Sequence, residues 1–161
     1  MTLPTLEFLF FFLESFQKYE KLFQRSEPTL HLLYNKQVDL YRNTLISFCN
    51  FEMIAKIESD SALVKFDYNN KKNQLDKSKI NIGTKASKLL KSFSDDERSV
   101  FMFGVKDFLI KVTDGLLKDL SLQNQVVADL RCLAPSNRTV SYERAIIRLA
   151  KKTSTKCLHN D

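Results

Sequence analysis

At 161 residues the chain has the length of one domain with a single core, and 43% hydrophobic against 27% charged residues excludes wholesale disorder. Three glycines and three prolines exclude a fold built on many tight β-turns and supply no Gly-rich phosphate loop. The net charge of +6 is uneven: residues 1–60 carry six Lys/Arg against eight Asp/Glu, residues 61–161 nineteen against eleven.

Residues 4–24 read as a helix that is apolar nearly all round, through Leu6, Phe8, Leu9, Phe10, Phe11, Phe12, Leu13, Phe16, Tyr19, Leu22 and Phe23. Such a helix needs neighbours on every side, more than a chain of this size offers. Phe8, Phe11, Phe12 and Leu13 are therefore expected to form an exposed strip that packs on a second copy or a partner protein. The apolar run at 8–13 does not read as a signal peptide. No Lys or Arg precedes it, Glu7 and Glu14 flank it, and no small-residue cleavage site follows. It is also far short of the roughly 20 apolar residues a transmembrane helix needs. Neither secretion nor a membrane partner is expected.

A join follows at Ser26-Glu27-Pro28. Pro28 has the φ of a first helical turn, with Ser26 or Glu27 near the cap. Leu30, Tyr34, Val38, Tyr41, Leu45 and Phe48 then recur at three- and four-residue spacing, predicting a helix near 29–48 that forms a hairpin with the first. Residues 51–68 stay ambiguous: Met53, Ile54 and Ile57 permit a helical turn, while Leu63, Val64 and Phe66 permit extended chain. In the extended case 61–68 pairs with 79–82 as a minor two-stranded ribbon. Asn69 to Gln74 is polar without period, so 69–79 reads as an exposed basic loop. Ile80, Ile82 and Gly83 read as an anchor ending in a turn, and Thr84 as the cap of a brief helix carrying Ala86, Leu89, Leu90 and Phe93.

Ser94-Asp95-Asp96-Glu97 is the sharpest local signal, a capping box with three carboxylates in the first turn. It predicts a long helix over 95–119 with Phe101, Val105, Phe108, Val112, Leu116 and Leu120 as the buried stripe. Gly104 and Gly115 each cost about 1 kcal/mol relative to Ala, which points to close packing at one of them. A shorter helix near 126–133 ends before Pro135. A last helix near 140–152 sets Tyr142, Ala145, Ile146 and Leu149 on one face. The sum is an all-α fold of about five helices, a single domain over 1–161: an N-terminal hairpin plus a long central helix.

No motif for nucleophilic, metal-assisted or dinucleotide chemistry is present, and the chain reads as non-enzymatic, without metal or cofactor. His31 and His159 are the only histidines, and Cys49, Cys132 and Cys157 are scattered without a CxxC pair. An odd, dispersed set argues against a disulfide framework and fits a reducing compartment inside the cell. Asp95, Asp96 and Glu97 point about 100° apart on a helix, so they cap rather than converge on an ion. Asn137-Arg138-Thr139 matches a glycosylation sequon, which matters only for a secreted chain.

Charge is the remaining lead. Eight Lys lie between residues 65 and 91, and Arg138, Arg144, Arg148, Lys151, Lys152 and Lys156 cluster near the end. Lys71, Lys72, Lys77 and Lys79, with Arg144, Arg148, Lys151 and Lys152, are the candidates for sequence-indifferent contact with DNA phosphates. That use requires the two stretches to share one side of the fold. The competing reading is a solvated loop and an ordinary basic helix face.

Four segments in order carry a resemblance. Glu27-Pro28-Thr29-Leu30-His31-Leu32-Leu33-Tyr34 resembles the helical region of hAT-superfamily transposases and their host-derived relatives. Ile80-Asn81-Ile82-Gly83 is similar to a hydrophobic-x-hydrophobic-Gly element there. The stretch from Phe101 to Leu120 is similar to its long Phe-rich helix. Leu130-Arg131-Cys132-Leu133-Ala134-Pro135, with Ala145-Ile146-Ile147-Arg148-Leu149-Ala150-Lys151-Lys152, resembles its Leu-x-x-Leu-x-Pro turn and following helix. The resemblance spans roughly residues 5–152. It implies the helical insertion of a ribonuclease-H-like transposase, with the family's catalytic carboxylates outside this chain, and hence a truncated, non-catalytic remnant. It also implies a nuclear protein that binds DNA weakly or associates with protein. The alternative is a helical self-association protein with no nucleic-acid role.

Overall fold

The computed structural model describes residues 2–24, 29–134 and 140–157, with the side chains of 140, 141 and 153–157 not among those described. Ser26, Glu27, Pro28, Pro135, Asn137, Arg138, Thr139 and His159 lie outside the described residues, as do the side chains of Lys156 and Cys157.

The described residues are all-helical. They comprise α1 (Thr2–Phe23), α2 (Leu33–Ile46), α3 (Phe51–Ala55), α4 (Asp60–Val64), α5 (Thr84–Leu90), α6 (Asp95–Asp119), α7 (Gln125–Asp129) and α8 (Val140–Cys157). Short 3₁₀ turns at Leu30–Leu32, Lys77–Lys79 and Leu130–Leu133 complete them. Local chemistry explains where four of these helices begin. The side chains of Asn50, Ser59, Ser94 and Asn124 accept from the backbone N–H of Glu52, Ala62, Glu97 and Val126, each satisfying one orphan donor of a first turn. At Ser94 the box is complete, since the Glu97 carboxylate also accepts from the Ser94 N–H at 2.9 Å.

α2 and α6 are the spine, and they run antiparallel. Near the start of α2, the Tyr34 hydroxyl donates to the carbonyl of Leu122, just past the end of α6 (3.2 Å). Beyond the end of α2, Leu75 N–H donates to the Phe48 carbonyl (2.7 Å), and Lys106 of α6 donates to the Leu75 carbonyl (3.3 Å). Tyr41, Leu45, Phe48, Leu109 and Thr113 are fully buried between them. The Thr113 hydroxyl is satisfied by the Leu109 carbonyl one turn back (2.8 Å).

α1 lies chiefly against α5 and touches α2 more lightly, so the expected N-terminal hairpin is not its main packing. Its inner face, Pro4, Phe8 and Phe12, is buried. Phe8 and Phe12 both meet the Phe108 ring edge-on, with centroids 5.7 and 5.4 Å apart, a geometry that the ring quadrupole favours. Gly83 stands at φ +82°, and a Cβ there would sit 2.7 Å from Phe11 Cγ. The anchor of Ile80 and Ile82, both buried, thus ends where only glycine permits both the turn and the approach of α1.

Several expectations need correction. About five helices become eight among the described residues, because 51–68 forms two short capped helices and the brief segments at 84–90 and 125–129 are helices of their own; the 29–48 stretch opens with a 3₁₀ turn before α2. No two-stranded ribbon exists among the described residues: 60–64 is helical, and the only β-bridge pairs Cys49 with Gln74. Ser59 decides this by capping α4 in place of an extended start. Gly83 rather than Thr84 is the N-cap of α5. The buried stripe of α6 runs through Leu109 and Thr113, with Phe108, Val112 and Leu120 only partly buried. A Cβ at Gly104 or Gly115 would meet nothing within 4 Å, so neither marks close packing.

Candidate functional site

Two surfaces present side chains that the fold itself does not use. The first is the outer face of α1. Leu3, Leu6, Phe10 and Leu13 are 56, 45, 70 and 43% exposed. Their 3-4-3 spacing places them on one stripe, roughly opposite the buried Phe8 and Phe12. Phe11, at 42%, lies between the stripes against Gly83. The expected strip is therefore half right. Leu13 and Phe11 are exposed as anticipated, whereas Phe8 and Phe12 belong to the core because Phe108 and α5 cover them. Leu3, Leu6 and Phe10 were the missing members. Their heptad-like spacing was visible in the sequence, but a helix apolar all round does not reveal which stripe faces out.

The second surface is the basic loop, and it is not a loose linker. Asp67 Oδ1 accepts from the N–H groups of Asn69 and Asn70, and the Asp67 carbonyl accepts from the Asn73 side chain (2.7 Å). Gln74 donates to the Tyr68 carbonyl (2.8 Å), and Asn50 N–H donates to the Asn73 carbonyl (2.9 Å). These side-chain-to-backbone bonds are what Asn and Asp supply in turns. With Lys106 on Leu75, they pin the loop against α6. Lys71, Lys72 and Lys79 are exposed, and Lys77 holds its ammonium 5.0 Å from the centre of the Phe103 ring. Lys71, Lys77, Lys106 and Phe103 together line a cleft of about 860 Å³.

The basic residues of α8 divide. Arg148 closes a bidentate ion pair with Asp129, from Nη2 at 2.6 Å and Nε at 2.8 Å. The guanidinium holds the Asp129 carboxyl below the usual carboxylate range. Arg148 is thus a docking residue for α8, a correction to its expected phosphate role, because its fork already faces a carboxylate. Arg144, Lys151 and Lys152 are exposed. Ile146, set on one face with Ala145 by the sequence pattern, is 53% exposed, while Ala145 is buried.

The two basic stretches attach near opposite ends of α2. The 69–79 loop joins the chain at the end of α2, whereas α8 packs on α7 and the 130–133 turn, which meet α2 at its start through Tyr34 and Arg131. The 14 residues of α2 separate those ends by about 20 Å.

Reactive groups are subdued. Burial pushes the Cys49 thiol up to about 12, leaving it protonated at neutral pH and a poor nucleophile. Cys132 is buried and free. Among the described residues, no group of three His, Cys, Asp or Glu could hold a metal ion, and no helix is long and apolar enough to cross a membrane. No protein-family model, no curated protein and no solved structure matches this chain.

Proposed function

We propose that this chain is a non-catalytic helical association module, and that its principal partner is a second copy of itself docked on the outer face of α1. The observation that carries this reading is the exposed Leu3-Leu6-Phe10-Leu13 stripe, on a helix whose opposite face is already in the core. Four large apolar side chains in one exposed row form a contiguous patch, and such patches on monomers are commonly functional. Two heptads of 3-4-3 spacing form a coiled-coil seam, and such a seam suits an isologous two-fold pair. In an antiparallel arrangement Leu3 lies opposite Leu13 of the other copy, and Leu6 opposite Phe10. The stripe ends at Gln17 and Glu20, which limits the seam to the first half of α1.

A second reading, sequence-indifferent nucleic-acid binding, is favoured by the pinned loop, which holds Lys71 and Lys77 at the rim of one cleft. Descent from a transposase of the hAT type, and with it a nuclear location, rests on the four sequence segments in their order. The two roles are compatible, since α1 and the loop use different surfaces.

Light scattering on the eluting full chain tests the first reading. Phe10→Glu places a charge in the seam and should shift the mass from dimer to monomer, while Phe51→Glu, at an equally exposed Phe on α3, should leave it unchanged. Equal masses for all three proteins would overturn the proposal.

A further inference from the structure

The nucleic-acid reading assigns lysines but no base contact, and the cleft against α6 supplies one. We propose that Phe103 is a base-stacking platform, so that the cleft takes single-stranded nucleic acid in preference to duplex. The inference rests on the loop-lysine reading above and gives it a substrate class.

Phe103 is 62% exposed on a helix whose buried stripe runs through Phe101, Val105 and Leu109. A lone exposed Phe is ordinary; its surroundings here are not. It lines a cleft of about 860 Å³, within the range of small-ligand sites, roughly 300–1,000 Å³. Lys71 and Lys77 line the same cleft, and neither has a carboxylate within ion-pair distance among the described residues. Three lysines, Lys71, Lys77 and Lys106, face two acids at the rim, one of them paired elsewhere and the other held by neutral donors. Asp76 accepts from the Ser78 N–H (2.9 Å) and hydroxyl (2.7 Å), and Asp107 pairs with Lys111 (2.7 Å). The cleft therefore presents net positive charge around an open aromatic face.

The two features answer the two parts of a nucleotide. A base offers a π-face to any aromatic ring regardless of sequence, and its phosphate seeks the ammonium groups. In the free protein Lys77 rests over the Phe103 ring, a weak cation–π contact at an exposed site. A stacked base displaces the ammonium, which swings to the adjoining phosphate. Duplex DNA keeps its bases stacked on one another and cannot make this exchange without unpairing. A single strand can. The ring and the ammonium groups on which the assignment rests read neither a base edge nor a 2′-hydroxyl, so oligo(dT) and oligo(U) should bind alike.

Fluorescence anisotropy of labelled oligo(dT), oligo(U) and a blunt duplex of equal length, titrated with the full chain, tests the assignment. Phe103→Ala should weaken both single strands by about 5- to 150-fold, the range for removing a stacking aromatic, with duplex binding unchanged. Phe103→Tyr should restore it, and unchanged thermal unfolding of both variants would show the fold intact. The pair Lys71→Gln and Lys77→Gln should weaken all three ligands and flatten the salt dependence. If the lysine pair weakens binding but Phe103→Ala does not, the stacking platform is wrong and the lysine reading stands. If none of the ligands binds in a lysine-dependent way, the nucleic-acid reading falls and this inference with it. Binding confined to one of the two single strands would contradict the sugar-blind cleft.

Discussion

Arg148 and Asp129 join α8 to the rest of the molecule: the guanidinium grips both carboxylate oxygens, at 2.6 and 2.8 Å, and Asp129 is only 5% exposed. Ala145 is buried beside it and Tyr142 and Leu149 are partly buried, so the ion pair adds a polar anchor to an apolar contact. Asp129→Asn should cost roughly 1–3 kcal/mol, as when a buried partner to a charged group is removed. The loss should appear as faster amide exchange in α8 with the core amides unaffected. Because the folded carboxyl is held below its ordinary value near 3.9, its stabilising effect is fully present above about pH 4. It is lost as pH falls through the depressed value. Undocking of α8 below about pH 4, absent in Asp129→Asn, is the expected signature. Equal exchange in α8 for both proteins would contradict it.

Gly83 is the second sensitive point. At φ +82° an L-residue is strained, and a new Cβ would overlap Phe11. Gly83→Ala should destabilise by about 1–3 kcal/mol from the backbone alone, read as a lower denaturant midpoint. Adding Phe11→Ala should recover part of the loss by relieving the overlap. An unchanged midpoint in the single variant would show that the α1–α5 contact is looser than described.

The capping box of α6 is a purely local test. Ser94→Ala removes the acceptor for the Glu97 N–H and should cost about 1 kcal/mol. Thermal or denaturant unfolding checks this directly. Full stability would mean that Glu97 and the two aspartates hold the first turn unaided.

Gly104 gives the opposite sign. It sits inside α6 with open space where a side chain would go, so Gly104→Ala should stabilise by up to about 1 kcal/mol through helix propensity. A loss of stability would reveal a neighbour to this face.

The long elements are legible because each carries many turns of evidence: α2 and α6 announce themselves through periodicity, α6 through its box as well, and α1 through a long apolar run. The short elements are not. Leu63, Val64 and Phe66 have the residue types of a strand, and the outcome turned on the single Ser59 hydroxyl. Asn50 and Asn124 are caps of the same kind, readable in principle, yet in a polar stretch an Asn is as common in a plain turn. On the surfaces, Lys71 and Lys77 stand out by charge alone, whereas Phe103 lies off the apolar stripe of α6 and nothing in the sequence shows the loop lysines folding onto it. Arg148 has a role that no local pattern announces. Its partner Asp129 lies 19 residues away, and no local pattern links them.

The central claim is that the outer stripe of α1 pairs copies of this chain. Sedimentation equilibrium of the unaltered full chain, from about 1 to 100 μM, measures that pairing without any substitution. The account predicts a weight-average mass that rises with concentration from one 18.7 kDa chain towards two. A single 18.7 kDa species across the whole range would contradict it, and would mean that Leu3, Leu6, Phe10 and Leu13 stay in water.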